Sequence, residues 1–314
     1  MLSGNKVLLI KIESSYGVDA APVASTDAIL AENISWAHDG LRMIDRPAIR
    51  ASNGTLQQVY GGSLKSISFD VEIKGAGAAY SASVLPELDA PLRACGLSAT
   101  LVTTASNESV TYTPASSGHE SATVYLYEDG ILHKLTGCYG EPSGTCGAGS
   151  IGKMSFTLTG HYSTVTDVSM PTASYDQTIP PAVVNSAFTI DGFAAVISEI
   201  SFSMGNQIAK PPSVAASDGF GDLAIIKRDP SGSFNPEAEL VATEDFIGNF
   251  ESGANMALSF GAVGGVQYNR YTITMPAVYY RDVVPGDRDG IYAFDITYAA
   301  SESTTDDEIS IVFN

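Results

Sequence analysis

The sequence predicts a mainly β protein made of two tandem, duplicated β-sandwich or barrel domains, each with one α-helix and a long protruding hairpin loop. Composition is the first reason. The 314 residues are 44% hydrophobic and only 16% charged, with 30 Gly and 15 Tyr, the profile of a turn-rich β chain. Alternation is the second. Ile67, Phe69, Val71 and Ile73 point one way, while Ser66, Ser68, Asp70, Glu72 and Lys74 point the other. The third is an internal repeat. Pro47 pairs with Pro212, Ala51-Ser52 with Ala216-Ser217, Gly54 with Gly219, Ser66 with Ser231 and Phe69 with Phe234, each 165 residues apart. Just upstream, Ile34-Ser35-Trp36 matches Ile200-Ser201-Phe202 at an offset of 166. A fixed offset over this length implies duplication, and each half is long enough to bury its own core.

The expected organisation is an N-terminal arm at 1–28, a first domain at 29–165, a linker at 166–187 and a second domain at 188–314. Residues 6–12 are apolar enough to dock as a strand. Residues 29–36 read as the first strand of domain one. A polar excursion follows over 38–64, with an Asn53-Gly54 turn signal, and it reads as a hairpin rather than a structureless loop. A strand is expected at 66–74. A helix is expected at 85–95, because Leu85, Leu88 and Leu92 share one face and Gly96 supplies the stop. Further strands are expected at 109–113, 122–128, 131–136 and 153–162, with Glu128-Asp129-Gly130 as a tight turn. Domain two repeats the order. It has a strand at 196–204, an excursion over 205–229, a strand at 231–238 that Pro236 marks as edge or bulged, and a helix at 240–250. Strands at 256–260, 268–280 and 290–298 follow. A final alternating strand, Ile309-Ser310-Ile311-Val312-Phe313, must pair with something.

The net charge is −19. Residues 1–165 hold 10 basic and 15 acidic side chains, and residues 166–314 hold 6 and 20. Such a chain is not expected to bind nucleic acid through its phosphates, which needs a basic face. Cys95, Cys138 and Cys146 make no disulfide framework. Cys138 and Cys146 flank a Gly-rich stretch that they could bridge, but reduced thiols are the favoured reading. Val7-Leu8-Leu9-Ile10 is too short for a signal segment or membrane span, so folding in the producer's cytoplasm is expected. No nucleophile elbow, zinc-protease motif, P-loop or dinucleotide fingerprint is present. His38, His119, His133 and His161 fall in four separate elements. Asp287-Arg288-Asp289-Gly290 opens like a Ca²⁺ loop but lacks the later ligands, so a hairpin turn is the better reading. No catalytic, cofactor or metal residue is assigned, and a chain with long hairpins and no reactive constellation is built for assembly.

The chain resembles the major tail tube protein family of phages with long, non-contractile tails. The resemblance is carried by Glu13-Ser14-Ser15-Tyr16-Gly17-Val18-Asp19, Thr26-Asp27-Ala28-Ile29-Leu30, Pro91-Leu92-Arg93-Ala94-Cys95-Gly96, Val110-Thr111-Tyr112-Thr113-Pro114, the run from Ser121 through Glu128-Asp129-Gly130 to Gly137, and Gly152 to Gly160. Domain two matches in layout more than in letters. The resemblance implies a non-enzymatic virion protein that self-assembles into stacked rings forming a hollow tail tube, made in the host cytoplasm. Double-stranded DNA would pass through it without specific binding during ejection. A tape-measure protein and a tail terminator or tip protein are the implied partners, with no membrane and no cofactor. Because family rings are commonly six-fold, a duplicated chain implies three copies in a pseudo-hexameric ring, with six copies as the alternative. Long loops and arms would contact the next ring, which points to Pro47, Asn53, Gly54, Pro212, Asp218 and Gly219. Asp70 and Glu72, on one face of a strand, are expected to line the lumen. The 6–12 and 309–313 strands are natural donors for pairing between subunits.

Two other classes compete. A non-polymerising surface-binding module, such as a decoration protein or adhesin-like tandem sandwich, fits the β composition but would form no stacking polymer. A β-sandwich carbohydrate hydrolase needs paired carboxylates in a cleft, and Asp70 with Glu72 is the only tidy pair in domain one.

Overall fold

Four consecutive apolar residues, Val7 to Ile10, are all buried in β1 (Lys6–Ile12), which packs on both faces. The computed structural model describes residues 4–314, so the first three residues of the expected arm lie outside the described residues. β2 (Ala28–Ile29) and β3 (Ala31–Asp39) follow. The first polar excursion carries only a two-rung hairpin, β4 (Met43–Ile44) and β5 (Val59–Tyr60). β6 (Leu64–Glu72) keeps the alternation of its sequence, with Ile67, Phe69 and Val71 buried. Burying a side chain such as Phe69 contributes on the order of 2–3 kcal/mol.

The helix expected at 85–95 is shorter: α1 (Asp89–Ala94). Pro86 disfavours helical geometry at Leu85, whereas Pro91 is tolerated because it sits in the first turn, where N–H groups lack intrahelical partners. β7 (Leu97–Val102), which the sequence did not single out, pairs as a hairpin with β8 (Ser109–Pro114). β9 (Ala122–Glu128) turns at Asp129-Gly130, both at positive φ, into β10 (Ile131–Gly147). β10 is far longer than expected, because the Gly-rich stretch is strand rather than loop. Its glycines permit close packing: a Cβ at Gly140 would lie 2.3 Å from Leu158, and one at Gly144 would lie 2.2 Å from Phe202. β11 (Lys153–Tyr162) and β12 (Thr166–Asp167) complete the first half.

The second half contains β13 (Phe188–Ile190), β14 (Phe193–Ala194), β15 (Ile197–Ser203), β16 (Gln207–Ala209), β17 (Ala224–Lys227) and β18 (Ser231–Pro236). Then come α2 (Phe246–Ser252), β19 (Met256–Val263), β20 (Tyr271–Arg288), β21 (Ile291–Ala300) and β22 (Ser310–Phe313). The second helix also starts later than expected, where the Asp245 side chain accepts the Gly248 N–H at 2.8 Å, and ends at Gly253 with φ 64°. Asp289-Gly290, both at positive φ, form the β20–β21 turn.

The protein is mainly β, 49% strand and 4% helix, in a large antiparallel sheet. The first half pairs in the order β1–β9–β10–β11–β6–β3. The second pairs in the order β13–β19–β20–β21–β18–β15. In each, the long third strand leaves one partner and continues along another, so that each half doubles over itself. The registers agree in detail. Ser35 faces Ser68 as Ser201 faces Ser233, and a register shift precedes both pairs, between Glu32 and Ser35 and between Ile197 and Ile200. The irregularity beside Pro236 thus has a counterpart in the half that lacks the proline.

Two seams join the halves. β15 pairs with the last residues of β10, and β22 lies between β20 and β8. The expectation that residues 6–12 and 309–313 are donors to other subunits is therefore corrected. Their backbone groups are used within the chain, β1 between β2 and β9 and β22 across the halves. One contiguous apolar cluster runs through both halves, from Leu8, Phe69 and Phe156 to Phe234, Tyr271 and Tyr298.

Candidate assembly surface

The pairings compose one continuous antiparallel sheet across the chain: β3–β6–β11–β10–β15–β18–β21 and the last part of β20. Period-two alternation gives it two unlike faces. One carries Ile67, Phe69, Phe156, Ile200, Phe202 and Ile296 into the core. The other is polar. It is rich in Ser and Thr, linked across strands by Ser68–Thr157 at 3.0 Å and Ser201–Ser233 at 2.8 Å. It also carries Glu32, Asp70, Glu72, Glu141, Glu199, Asp282 and Asp295. Its cations are already engaged: Lys153 pairs with Glu32 at 2.6 Å and Arg288 with Glu237 at 3.0 Å.

Both sequence-predicted lumen residues lie on this polar face. Asp70 accepts from Asn33 at 2.7 Å and from Ser155, and Glu72 stands opposite Lys153 in the β6–β11 register.

The sheet ends in two open edges. Among the described residues, β3 pairs only with β6, and residues 282–288 pair only with β21. Apolar side chains stand along both, with Trp36 37% and Val284 46% exposed. An open strand edge is a template for another chain.

The internal seam shows what such an edge accepts. Ser143 faces Ser203, Thr145 faces Ser201 and Gly147 faces Glu199. The Phe202 ring lies over Gly144, where no side chain obstructs it. Glu141 then clamps the chain leaving β15, accepting from Ser203 Oγ at 2.6 Å, from the Gly205 N–H at 2.7 Å and from the Asn206 N–H at 2.5 Å. Burial pushes its carboxyl above the ordinary range, although these donors pull the other way.

The two long loops behave differently. Loop one (residues 40–62) carries Pro47, Asn53 and Gly54 on exposed chain, the Gly54 carbonyl accepting from Arg50 at 2.6 Å. Leu41, Met43, Ile44, Val59 and Tyr60 at its base are about half exposed, and Ile49 is fully exposed. Loop two (residues 205–229) leaves Pro212 and Val214 exposed but lays its base on the first half. Asp218 pairs with His161 at 2.6 Å, the Gly219 carbonyl accepts from Arg42 at 3.0 Å, and Arg42 lies 4.0 Å above the Phe220 ring. Phe220 and Leu223 are buried there with Leu64 and Tyr139. Asp218 and Gly219 are thus engaged within the chain, whereas Pro47, Asn53, Gly54 and Pro212 face outward.

Other reactive side chains are used structurally. Cys95, Cys138 and Cys146 are free and buried, so the considered Cys138–Cys146 bridge is not formed; burial raises all three thiol pKa values. His133 pairs with Glu128 and His38 with Ser63. Glu302, Asp306 and Glu308 lie close enough to share an ion, but Arg228 sits among them, 2.7 Å from Glu308 and 2.5 Å from Asp306. A cleft of about 730 Å³ is bordered by α1, β1 and residues 174–176. Its Glu87 is tied to Lys74 at 3.1 Å, and Lys74 in turn holds the Asp176 carbonyl at 3.1 Å, fixing the linker.

No helix is long and apolar enough to cross a membrane among the described residues. No match was found among curated proteins. A family model described as phage tail tube protein matches residues 4–310, nearly the whole chain. That span takes in the strands of both halves and the polar sheet face between the two open edges, and the chain belongs to the phage tail tube protein family.

Proposed function

We propose that this chain is the tube subunit of a long, non-contractile phage tail, and that three copies close into a ring that is pseudo-hexameric because each chain carries a duplicated domain. The observation that carries the reading is the continuous sheet with an open edge at each end. Three such sheets joined edge to edge leave no edge unpaired, which removes the aggregation hazard of a free strand. The matching pairing orders of the two halves support the duplication. The polar face turns inward, with Asp70 and Glu72 among its carboxylates. Its engaged cations offer no phosphate site, so double-stranded DNA passes without sticking during ejection.

Rings stack through the outward loops, with Pro47, Asn53, Gly54 and Pro212 at the contact. Asp218 and Gly219 act there indirectly, by fixing loop two. The tube takes a tape-measure protein inside and a terminator or tip protein at its ends, and it is assembled in the host cytoplasm. The test is negative-stain electron microscopy of the purified chain across a concentration series. Hollow tubes or stacked rings are expected; a chain that stays monomeric at every concentration overturns the reading.

A further inference from the structure

We infer that the seam between copies repeats the seam inside the chain: β3 of one copy pairs antiparallel with residues 282–288 of the next, Ala37 opposite Val284 and Ser35 opposite Gly286. The inference rests on the ring reading above and specifies how its edges meet.

The register follows from pairings in the chain. Phe69 faces Phe156, which faces Pro142; in the second half Phe234 faces Ile296, which faces Val283. Residues 142–147 therefore correspond to 283–288. The shared serine pairs make Ser35 correspond to Ser201 and Ala37 to Ser203. Inside the chain, Ser203 faces Ser143 and Ser201 faces Thr145. Carried to the open edges, Ala37 meets Val284 and Ser35 meets Gly286 of the next copy.

Three features of the open edges fit this pairing. Asp282 stands at the position of Glu141, so a carboxylate is again available beside the start of the loop that leaves the paired strand. Gly40 opens loop one at φ 61°, as Gly205 opens loop two at φ 62°. The apolar base of loop one, exposed in the single chain, then lands on the next copy's second half, as Phe220 and Leu223 of loop two land on the first half.

Two differences mark the outer seam. Pro285 replaces Gly144, so the Trp36 ring cannot lie over the strand as Phe202 does. It stays instead over His133, 4.9 Å between centroids, with its Nε1–H donated to Glu128. The Ile34 carbonyl on the open edge accepts from Lys6 at 3.0 Å, and its second lone pair is left for the Asp287 N–H. Proline on one edge and lysine beside the other limit unguided pairing of the free chain.

The Met204 N–H donates to the Pro142 carbonyl at 3.2 Å, which makes the neighbouring pair Ser143–Ser203 a non-hydrogen-bonded one. Its outer counterpart, Ala37–Val284, then has Cα atoms about 4.5 Å apart, within disulfide range. Within one chain these residues lie at opposite ends of the sheet, on the order of 30 Å apart, so no internal bond forms.

The test is the double variant Ala37→Cys with Val284→Cys, oxidised after assembly, against the slipped pair Ser35→Cys with Val284→Cys. Both sites of the first pair are on the surface and the native thiols are buried, so folding and background are unaffected. Covalent trimers at least tenfold more abundant in the first variant are expected. Rings that form but cross-link preferentially through the slipped pair, or through neither, overturn the register while leaving the ring reading intact. Failure of the unmodified chain to assemble overturns both.

Discussion

The carboxylate of Glu141 accepts the Gly205 N–H at 2.7 Å, tying the last reach of the first half to the first loop of the second. Both groups are partly buried, so the bond is a clamp on the internal seam. Glu141→Ala removes the acceptor of the Asn206 N–H and the nearer acceptor of the Gly205 N–H, which keeps only Ser203 Oγ at 3.2 Å, and is expected to cost about 1–3 kcal/mol. Urea unfolding at neutral pH measures the loss. Glu141→Gln, which keeps an acceptor, should recover part of it.

Gly144 is held empty by the Phe202 ring. A Cβ there would sit 2.2 Å from Phe202 Cζ. Gly144→Ala is expected to destabilise by about 1–3 kcal/mol through overpacking. Adding Phe202→Leu should lessen that penalty, and a double-mutant cycle on denaturation midpoints reads the coupling.

Arg42 holds loop two through the Phe220 ring and the Gly219 carbonyl. Arg42→Ala is expected to cost about 1 kcal/mol globally. Its sharper effect is local, as faster hydrogen exchange over residues 211–221 with the sheet amides unchanged. Equal acceleration in β6 and β11 would contradict this account.

The N-terminal region is pinned by charge. Burial alone would raise the Asp19 pKa, but hydrogen bonds from Lys134 and Tyr125 outweigh it and hold the carboxyl below the ordinary aspartate range. A depressed folded value means the stabilisation is complete above the unfolded pKa of about 4 and is lost as pH falls through the folded value. Asp19→Asn should therefore cost about 1 kcal/mol at pH 7, a modest figure because the pair is partly exposed. The gap to the unmodified chain should close in acid, as urea titrations at successive pH values would show.

Local pattern made much of the fold legible. The alternation over Ser66 to Lys74 became β6 almost unchanged, and the offset of 165 to 166 residues reappears as matching pairs in the sheet, Ser35–Ser68 and Ser201–Ser233. What stayed hidden depends on partners distant in sequence. Gly140 and Gly144 look like loop residues, but Leu158 and Phe202 supply the bulk that makes a long strand of them. Leu85, Leu88 and Leu92 gave a helical face, yet Pro86 delays the helix to Asp89. Nothing near Ile309–Phe313 says that its partners are Tyr271–Thr274 and Val110–Tyr112. In the candidate surface, Asp70 and Glu72 were readable from alternation. The open edge at residues 282–288 was not, because an edge is defined by the strand that is missing beside it.

Pseudo-hexameric closure by three duplicated chains is the central claim, and native mass spectrometry of isolated rings tests it most directly. A ring of three times the 32.8 kDa chain mass is expected. A ring of six chains would contradict the claim that each chain supplies two of the six positions.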